Sequence, residues 1–359
     1  MSVKYGDTSF LHLPSLINTF TGGEKSMHMA DALVAPAVAG TMYVLSTGAA
    51  AVSVKNVREE NDPKKIPVMG VMGAFVFATQ MLNFTIPGTG SSGHLCGGMM
   101  LSAMLGPFAG FLTMIGVLLV QCLLFADGGL LALGCNIWNM AFYGCFVGAL
   151  LIWRPFMKKG ASRVKIIAAS IIGCVLTLQM GAFSVTIETL LSGITELPFT
   201  VFLAAMQPIH LAIGFVEGLI TSAVLIFVNE ARPELLWGVG EKSSNEGKLS
   251  FKNTVIAIAV AAAICGGVVS LFASAFPDGL EWSMEQVAGT TELEADGGAY
   301  ETASAIQETT SLLPDYAFKD SESAVGTSFS GIVGALVVVG VTVSACYAFK
   351  FFKKKESVV

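Results

Sequence analysis

What this 359-residue chain has least of is charge. Asp, Glu, Lys and Arg make up 13% of it, against 53% hydrophobic residues, whereas soluble domains carry about 25% charged residues. With a mean hydropathy of +0.70, this excludes a water-soluble globular domain. Histidine is nearly missing, at four residues. The seven cysteines (96, 122, 135, 145, 174, 265 and 346) contain no Cys-x-x-Cys pair. All lie in or beside apolar segments, and they read as small core residues rather than as a disulfide or zinc framework. No Gly-x-x-x-x-Gly-Lys-Ser/Thr loop occurs, so ATP hydrolysis cannot reside in this chain. No His-Glu-x-x-His helix occurs either, which argues against an intramembrane metalloenzyme.

What is present is a series of apolar runs of spanning length, at 33–54, 68–86, 130–153, 165–187, 199–228, 254–276 and 330–352. A helix needs about 20 predominantly apolar residues to cross the hydrocarbon core. The stretch 95–126 is too long for one crossing and is interrupted by Gly106-Pro107-Phe108-Ala109-Gly110. It therefore splits into a short helix at 94–105 and a full one at 108–125. With that split, 17 of the 20 Lys+Arg fall on one face, in clusters around 55–65, 154–165, 232–252 and 350–355. The excess of positive charge makes that face cytoplasmic, with residue 27 outside and the C-terminus inside. The expected fold is all-α: a polytopic helical bundle of about seven segments plus a two-helix C-terminal hairpin, nine segments in all.

Composition divides the chain into a 1–26 extension or mis-assigned start, a seven-helix block at 27–230, a connector at 231–252 and a two-helix module at 253–359. Residues 1–26 lack the basic and apolar regions of a signal peptide. Between Pro277 and Gly326 stand eleven acidic residues and a single lysine, Lys319. This predicts an exposed, flexible acidic loop at 277–328 outside the cell. Gly-x-x-x-Gly pairs at Gly93/Gly97, Gly106/Gly110, Gly144/Gly148 and Gly214/Gly218 predict close helix packing.

The chemistry concentrates on the few imidazoles. His28 and His94 lie beside apolar segments, where a polar group is a candidate functional residue. A terminal amine at Met27, the backbone amide and the His28 imidazole would offer three nitrogens, and His94 a fourth. A plane of four nitrogens suits Ni(II) or Cu(II). Against this stands the ordinary role of a membrane histidine as a packing hydrogen bonder. His210 and Glu217, seven positions apart, project from one helix face. They read either as metal-transit ligands or as a buried network fixing helix packing. Cys96 and the Met99-Met100 pair read as core residues, Glu188 as an interfacial carboxylate, and Asp127-Gly128-Gly129 as a tight outer turn.

The segments around these histidines resemble a known family. Met27-His28-Met29-Ala30-Asp31-Ala32 and Gln80-Met81-Leu82-Asn83-Phe84-Thr85-Ile86-Pro87-Gly88-Thr89-Gly90-Ser91-Ser92-Gly93-His94 are similar to motifs of the cobalt/nickel substrate-binding components of energy-coupling-factor transporters. Phe125-Ala126-Asp127-Gly128-Gly129-Leu130, Gly134-Cys135-Asn136-Ile137-Trp138-Asn139-Met140 and His210–Thr221 continue the likeness, which covers about 27–230. Pro277-Asp278-Gly279-Leu280-Glu281-Trp282 and Leu313-Pro314-Asp315-Tyr316 resemble the small auxiliary component of nickel systems, here fused. The resemblance implies a seven-helix component that captures Ni²⁺ or Co²⁺, as transported substrate rather than cofactor, with Met27, His28 and His94 as ligands. Asn83 becomes a candidate for orienting an imidazole. Ala30 and Ala32 depart from the family's Pro and Gly. A free amine at Met27 requires that translation start there or that the extension be removed.

The resemblance also implies its partners: a coupling transmembrane subunit and separate ATPase subunits, in the plasma membrane, with no nucleic acid. Nickel is favoured, with cobalt for cobalamin biosynthesis close behind. The alternative is a stand-alone secondary transporter of divalent metals, which predicts paired interrupted helices that the sequence does not display beyond the Gly106-Pro107 break.

Overall fold

The computed structural model describes residues 28–240, 247–319 and 323–356. The expectations placed on residues 1–26 and on Met27 lie outside the described residues. The all-α membrane bundle is observed. Seven helices make the first block: Pro36–Glu60 (α1), Lys65–Gln80 (α2), Gly98–Leu105 (α3), Pro107–Phe125 (α4), Leu133–Met157 (α5), Arg163–Ser192 (α6) and Phe199–Ala231 (α7). Phe251–Gly267 (α8), Gly279–Ala288 (α9), Gly298–Thr310 (α10) and Ala324–Glu356 (α11) follow. Of the nine expected segments, six helices among the described residues are long and apolar enough to cross a bilayer, while α2 and α8 are shorter apolar helices. The eight-residue α3 is only a partial crossing.

Local chemistry sets the boundaries. Pro36 opens α1 at the first helical turn, and Asn61 closes it in the left-handed region at φ 47°. The expected break between the third and fourth helices falls at Gly106, whose φ of 83° no β-carbon-bearing residue adopts easily, with Pro107 starting α4. Ser162 caps α6 by accepting from the Lys165 N–H, and Gly193 ends it at φ 75°.

Two differences from the expected segments matter for the site. The run 68–86 is not one helix. The 16 residues of α2 rise only about 24 Å, and after Gln80 the chain forms an antiparallel hairpin, Phe84–Ile86 (β1) with Ser91–Gly93 (β2). Nor does α3 begin at His94. Residues 94–97 run irregularly because buried side chains, not a helical ladder, take up their backbone groups: Glu217 accepts the Cys96 and Gly97 N–H groups at 3.1 and 2.8 Å, and Gln80 Nε2 donates to the Cys96 carbonyl at 2.9 Å.

Close glycine approaches hold the frame. A β-carbon on Gly144 would stand 2.8 Å from the Gly98 Cα, and one on Gly218 would stand 2.6 Å from the Ile171 Cα. The first contact locks α3 to α5, the second α6 to α7. The C-terminal helices α8 and α11 are not an isolated hairpin. They pack against α2, where Val338 and Val339 of α11 meet Gly73 and Gly70, so α2 lies inside the bundle. Large apolar residues such as Val44, Leu151, Leu176 and Phe215 remain on the outer surfaces of the long helices, where lipid solvates them.

The acidic stretch 277–328 departs from its expectation as a flexible loop. Its described residues fold into α9, α10, a short turn at Pro314–Tyr316 and the start of α11, and α9 and α10 pack onto the first block. Asp278 caps α9 through the N–H groups of Leu280 and Glu281, both at 2.8 Å, and Glu281 returns a bond to the Asp278 N–H at 3.2 Å. This reciprocal box places acidic residues where they terminate a helix instead of keeping the chain in solvent.

Candidate metal centre

The centre is built from stretches that are far apart in sequence. The segment entering α1 supplies His28. Its neighbour Met29 is gripped from both sides by Asn136, which accepts the Met29 N–H at 3.0 Å and donates Nδ2 to the Met29 carbonyl at 3.1 Å. The Gly129 N–H also reaches the Met29 carbonyl, at 3.0 Å. Asp31 Oδ1 accepts the Ala132 N–H at 2.9 Å. Gly129 permits this, since a β-carbon there would stand 1.8 Å from Asp31 Oδ1. The entering strand is thus fixed before α1 begins, and His28 is left only 4% exposed.

His94 comes from the end of the hairpin, positioned by the Glu217 and Gln80 contacts to the next residues. The two imidazoles meet edge to face with ring centroids 5.6 Å apart. Metal–imidazole bonds are about 2.0–2.1 Å, so one ion can reach both rings. Each ring also has a named partner at Nδ1. His28 Nδ1 faces Asp127 Oδ1 at 2.8 Å, and His94 Nδ1 lies 3.1 Å from the Leu95 carbonyl. Anchoring one nitrogen in this way fixes the ring's orientation and tautomer and presents Nε2 for coordination. His94 Nε2 itself faces Asp278 Oδ2 at 3.6 Å.

The rings open on a cavity of about 90 Å³ lined by His28, Met29, His94, Cys96, Asn139, Met140, Met206, His210 and Asp278, among others. That volume suits an ion with a few ligands. Burial alone draws the His94 imidazole down, but the facing Asp278 carboxylate, the Leu95 carbonyl and the Asp127 charge outweigh it and push its pKa up to about 9. Burial likewise opposes the Asp127 charge, yet its contacts with His28 and Tyr316 hold the carboxyl below its ordinary value.

The other sequence-derived residues fall at varied distances. His210 lines the cavity, with Nδ1 2.7 Å from the Met206 carbonyl. Glu217, on the same helix, is buried beneath the site and bonds the 96–97 backbone. Asn83 lies at the start of the hairpin, where its carbonyl accepts the Ser274 N–H at 2.7 Å; it is not among the residues lining the cavity. Glu188 is buried and accepts from Asn139 Nδ2 at 2.7 Å. The Cys96 thiol donates to the Met140 carbonyl at 3.3 Å. Among the described residues, no cluster of three or more His, Cys, Asp and Glu with metal-holding geometry occurs.

Sequence reading missed Asn136, Gln80, Asp127 and Asp278. Asp127 read as part of a turn; it stands directly after the left-handed C-cap of α4 at Ala126, and its side chain points inward. The Asp278-x-x-Glu281 spacing is a legible capping box; that it delivers a carboxylate to His94 is not.

Comparison with known proteins agrees in both parts of the chain. Residues 28–235 match the family described as the cobalt uptake substrate-specific transmembrane region, and residues 252–351 match the PDGLE domain. The putative fused nickel transport protein NikMN of Archaeoglobus fulgidus is 35% identical, across 87% of this chain and 96% of its own. The fused nickel transport protein NikMN of Rhodobacter capsulatus is 28% identical, across 89% and 97%. A solved structure described as a truncated transition metal transporter aligns with a TM-score of 0.50 at 30% identity, covering 56% of this chain and 98% of that one.

Proposed function

Since the chain belongs to the cobalt-uptake substrate-specific transmembrane family and carries a PDGLE domain behind that region, we propose that it is the metal-capture component of an energy-coupling-factor importer of Ni²⁺ or Co²⁺. The observation that carries this reading is the meeting of His28 and His94 at 5.6 Å in a small cavity, each ring anchored at its other nitrogen. Imidazoles held in this way coordinate late first-row divalent ions through the nitrogen that gives up its proton. With the Met27 amine and the following amide completing a four-nitrogen set, nickel is the favoured ion, and the fused nickel transport proteins among the relatives support that preference. The ion is cargo. It enters from the outer side, where residue 27 lies, and the basic face and the C-terminus are cytoplasmic in the plasma membrane.

The chain contains no phosphate-binding loop, so the work of release falls to ATPase subunits acting through a coupling transmembrane subunit. His210, on the cavity wall, is a transit contact for the ion. Asn83 and Glu217 shape the hairpin and the loop that present His94. The test is ⁶³Ni²⁺ and ⁵⁷Co²⁺ uptake by cells expressing the chain alone or together with the ATPase and coupling subunits. Uptake that needs all subunits and disappears in His94→Ala is the expected result. Full uptake by the chain alone would make it a stand-alone secondary transporter.

A further inference from the structure

The C-terminal module reaches the metal centre from behind as well as from above. Above it, Pro277 and Phe276 accept bonds from Ser92, Trp282 Nε1 donates to the Thr89 carbonyl at 3.0 Å, and Asp278 faces His94. Behind it, the turn at Pro314–Tyr316 inserts a phenol. The Tyr316 hydroxyl donates to Asp127 Oδ2, while the other oxygen of the same carboxylate faces His28 Nδ1 at 2.8 Å. Tyr316 is 7% exposed, and its ring stacks on Phe125 with centroids 4.6 Å apart. The turn that delivers it has two residues in the left-handed region, Asp315 at φ 51° and Tyr316 at φ 58°. Such backbone persists only where the surroundings impose it. Here Gln307 supports the same corner by donating to the Cys122 and Gly128 carbonyls at 3.1 and 2.9 Å.

We propose that the C-terminal module is part of the metal centre, with Tyr316 a positioning residue that acts on His28 through Asp127. A ligating imidazole depends on the group that holds its other nitrogen, and that group is useful only if it is itself held. Asp127 has two oxygens; one is committed to His28 and the other to Tyr316. Without the phenol, the carboxylate loses one of the bonds that orient it in a buried pocket, and His28 is held less firmly. The PDGLE domain and the metal-binding block are therefore one functional unit whose joint is the Tyr316–Asp127–His28 chain. This inference rests on the capture reading above.

The test uses the full chain purified in detergent, with Ni²⁺ affinity from chelator competition and Ni(II) ligand-field bands recorded on each sample. The variants are Tyr316→Phe, Asp127→Asn, the double variant and Tyr300→Phe. Phenylalanine keeps the ring on Phe125, so the variant should still fold; the lost bond to the buried carboxylate lowers the metal-free melting temperature, which is recorded separately from affinity. Partners in the outer shell of a metal site are worth about 10- to 100-fold in affinity. Tyr316→Phe is expected at about 10-fold, with shifted Ni(II) bands, and Asp127→Asn at or above that loss. The double variant should be no weaker than Asp127→Asn, because the route from Tyr316 to His28 runs through Asp127. Tyr300→Phe removes a different contact of the module, the bond to the Val34 carbonyl, and should bind as wild type. Unchanged affinity and bands in Tyr316→Phe overturn the inference, as does a Tyr316→Phe loss of equal size in the Asp127→Asn background. If the wild type fails to bind, or His28→Ala still binds, the capture reading itself has failed.

Discussion

Replacing Glu217 by glutamine tests how His94 is held. Both carboxylate oxygens of Glu217 accept backbone N–H groups, from Cys96 at 3.1 Å and Gly97 at 2.8 Å, and the residue is 2% exposed. Glutamine has nearly the same shape but only one acceptor oxygen. Its NH₂ must face one of the two N–H groups, donor against donor. An orphaned buried N–H costs about 1–3 kcal/mol, and hydrogen bonds to a charged group contribute about 1.5–3 kcal/mol. The expected loss is about 2–4 kcal/mol, shared between global stability and the order of the 94–97 loop. If 1–2 kcal/mol of it falls on the loop, Ni²⁺ binding weakens by about 5- to 30-fold. Chelator-competition titration of the purified chain, with thermal unfolding of the same samples, reads both parts. Glu217→Ala, which orphans both N–H groups, should be worse in each measurement. Wild-type affinity together with wild-type melting in Glu217→Gln would refute this account of the loop.

Other predictions follow from neighbouring contacts. Asn136→Leu keeps the branched shape but deprives the Met29 N–H of its partner; it should destabilise the protein by about 1–3 kcal/mol and weaken Ni²⁺ binding, measured by the same titration. Gly144→Val drives a side chain into the Gly98 backbone, which a β-carbon already meets at 2.8 Å; a loss of about 1–3 kcal/mol or more is expected, read as a lower melting temperature. The pH dependence has a defined sign. In the metal-free protein the His94 pKa is raised from 6.5 to about 9, so its contribution to stability is complete below 6.5 and lost as pH rises through about 9. The ion must displace that proton, so Ni²⁺ affinity should increase about tenfold per pH unit across that window, and so should the metal-induced rise in melting temperature. Flat affinity between pH 6.5 and 9 would contradict the assignment of His94 as a ligand.

The helices were legible in the sequence because hydropathy and helix breakers are local signals. Gly106-Pro107 marked the break between the third and fourth helices, where Gly106 takes φ 83° and α4 starts. The hairpin after α2 was not legible. Phe84, Thr85 and Ile86 continue the apolar run, and what ends the helix is the later pairing of that strand with Ser91–Gly93. His28 and His94 stood out because histidine is rare and both lie beside apolar segments. Asp127 did not, since an Asp followed by two glycines satisfies every requirement of a turn. The inward path of its side chain depends on Tyr316, 189 positions later. The acidic loop misled for a related reason. Its charge density suggests solvent, whereas several of its acids, Asp278 and Glu281 among them, serve as helix caps or inward contacts.

The central claim is that a metal ion is captured by the nitrogens of Met27, His28 and His94. Its most direct test is the intact mass of the membrane-extracted protein together with Ni²⁺ and Co²⁺ binding on the same sample. The account predicts a chain beginning at Met27 that binds one ion, with binding abolished in His28→Ala and in His94→Ala. A chain that retains residues 1–26 and still binds tightly would contradict the amine chelate and move the search for ligands to His210 and the rest of the cavity wall.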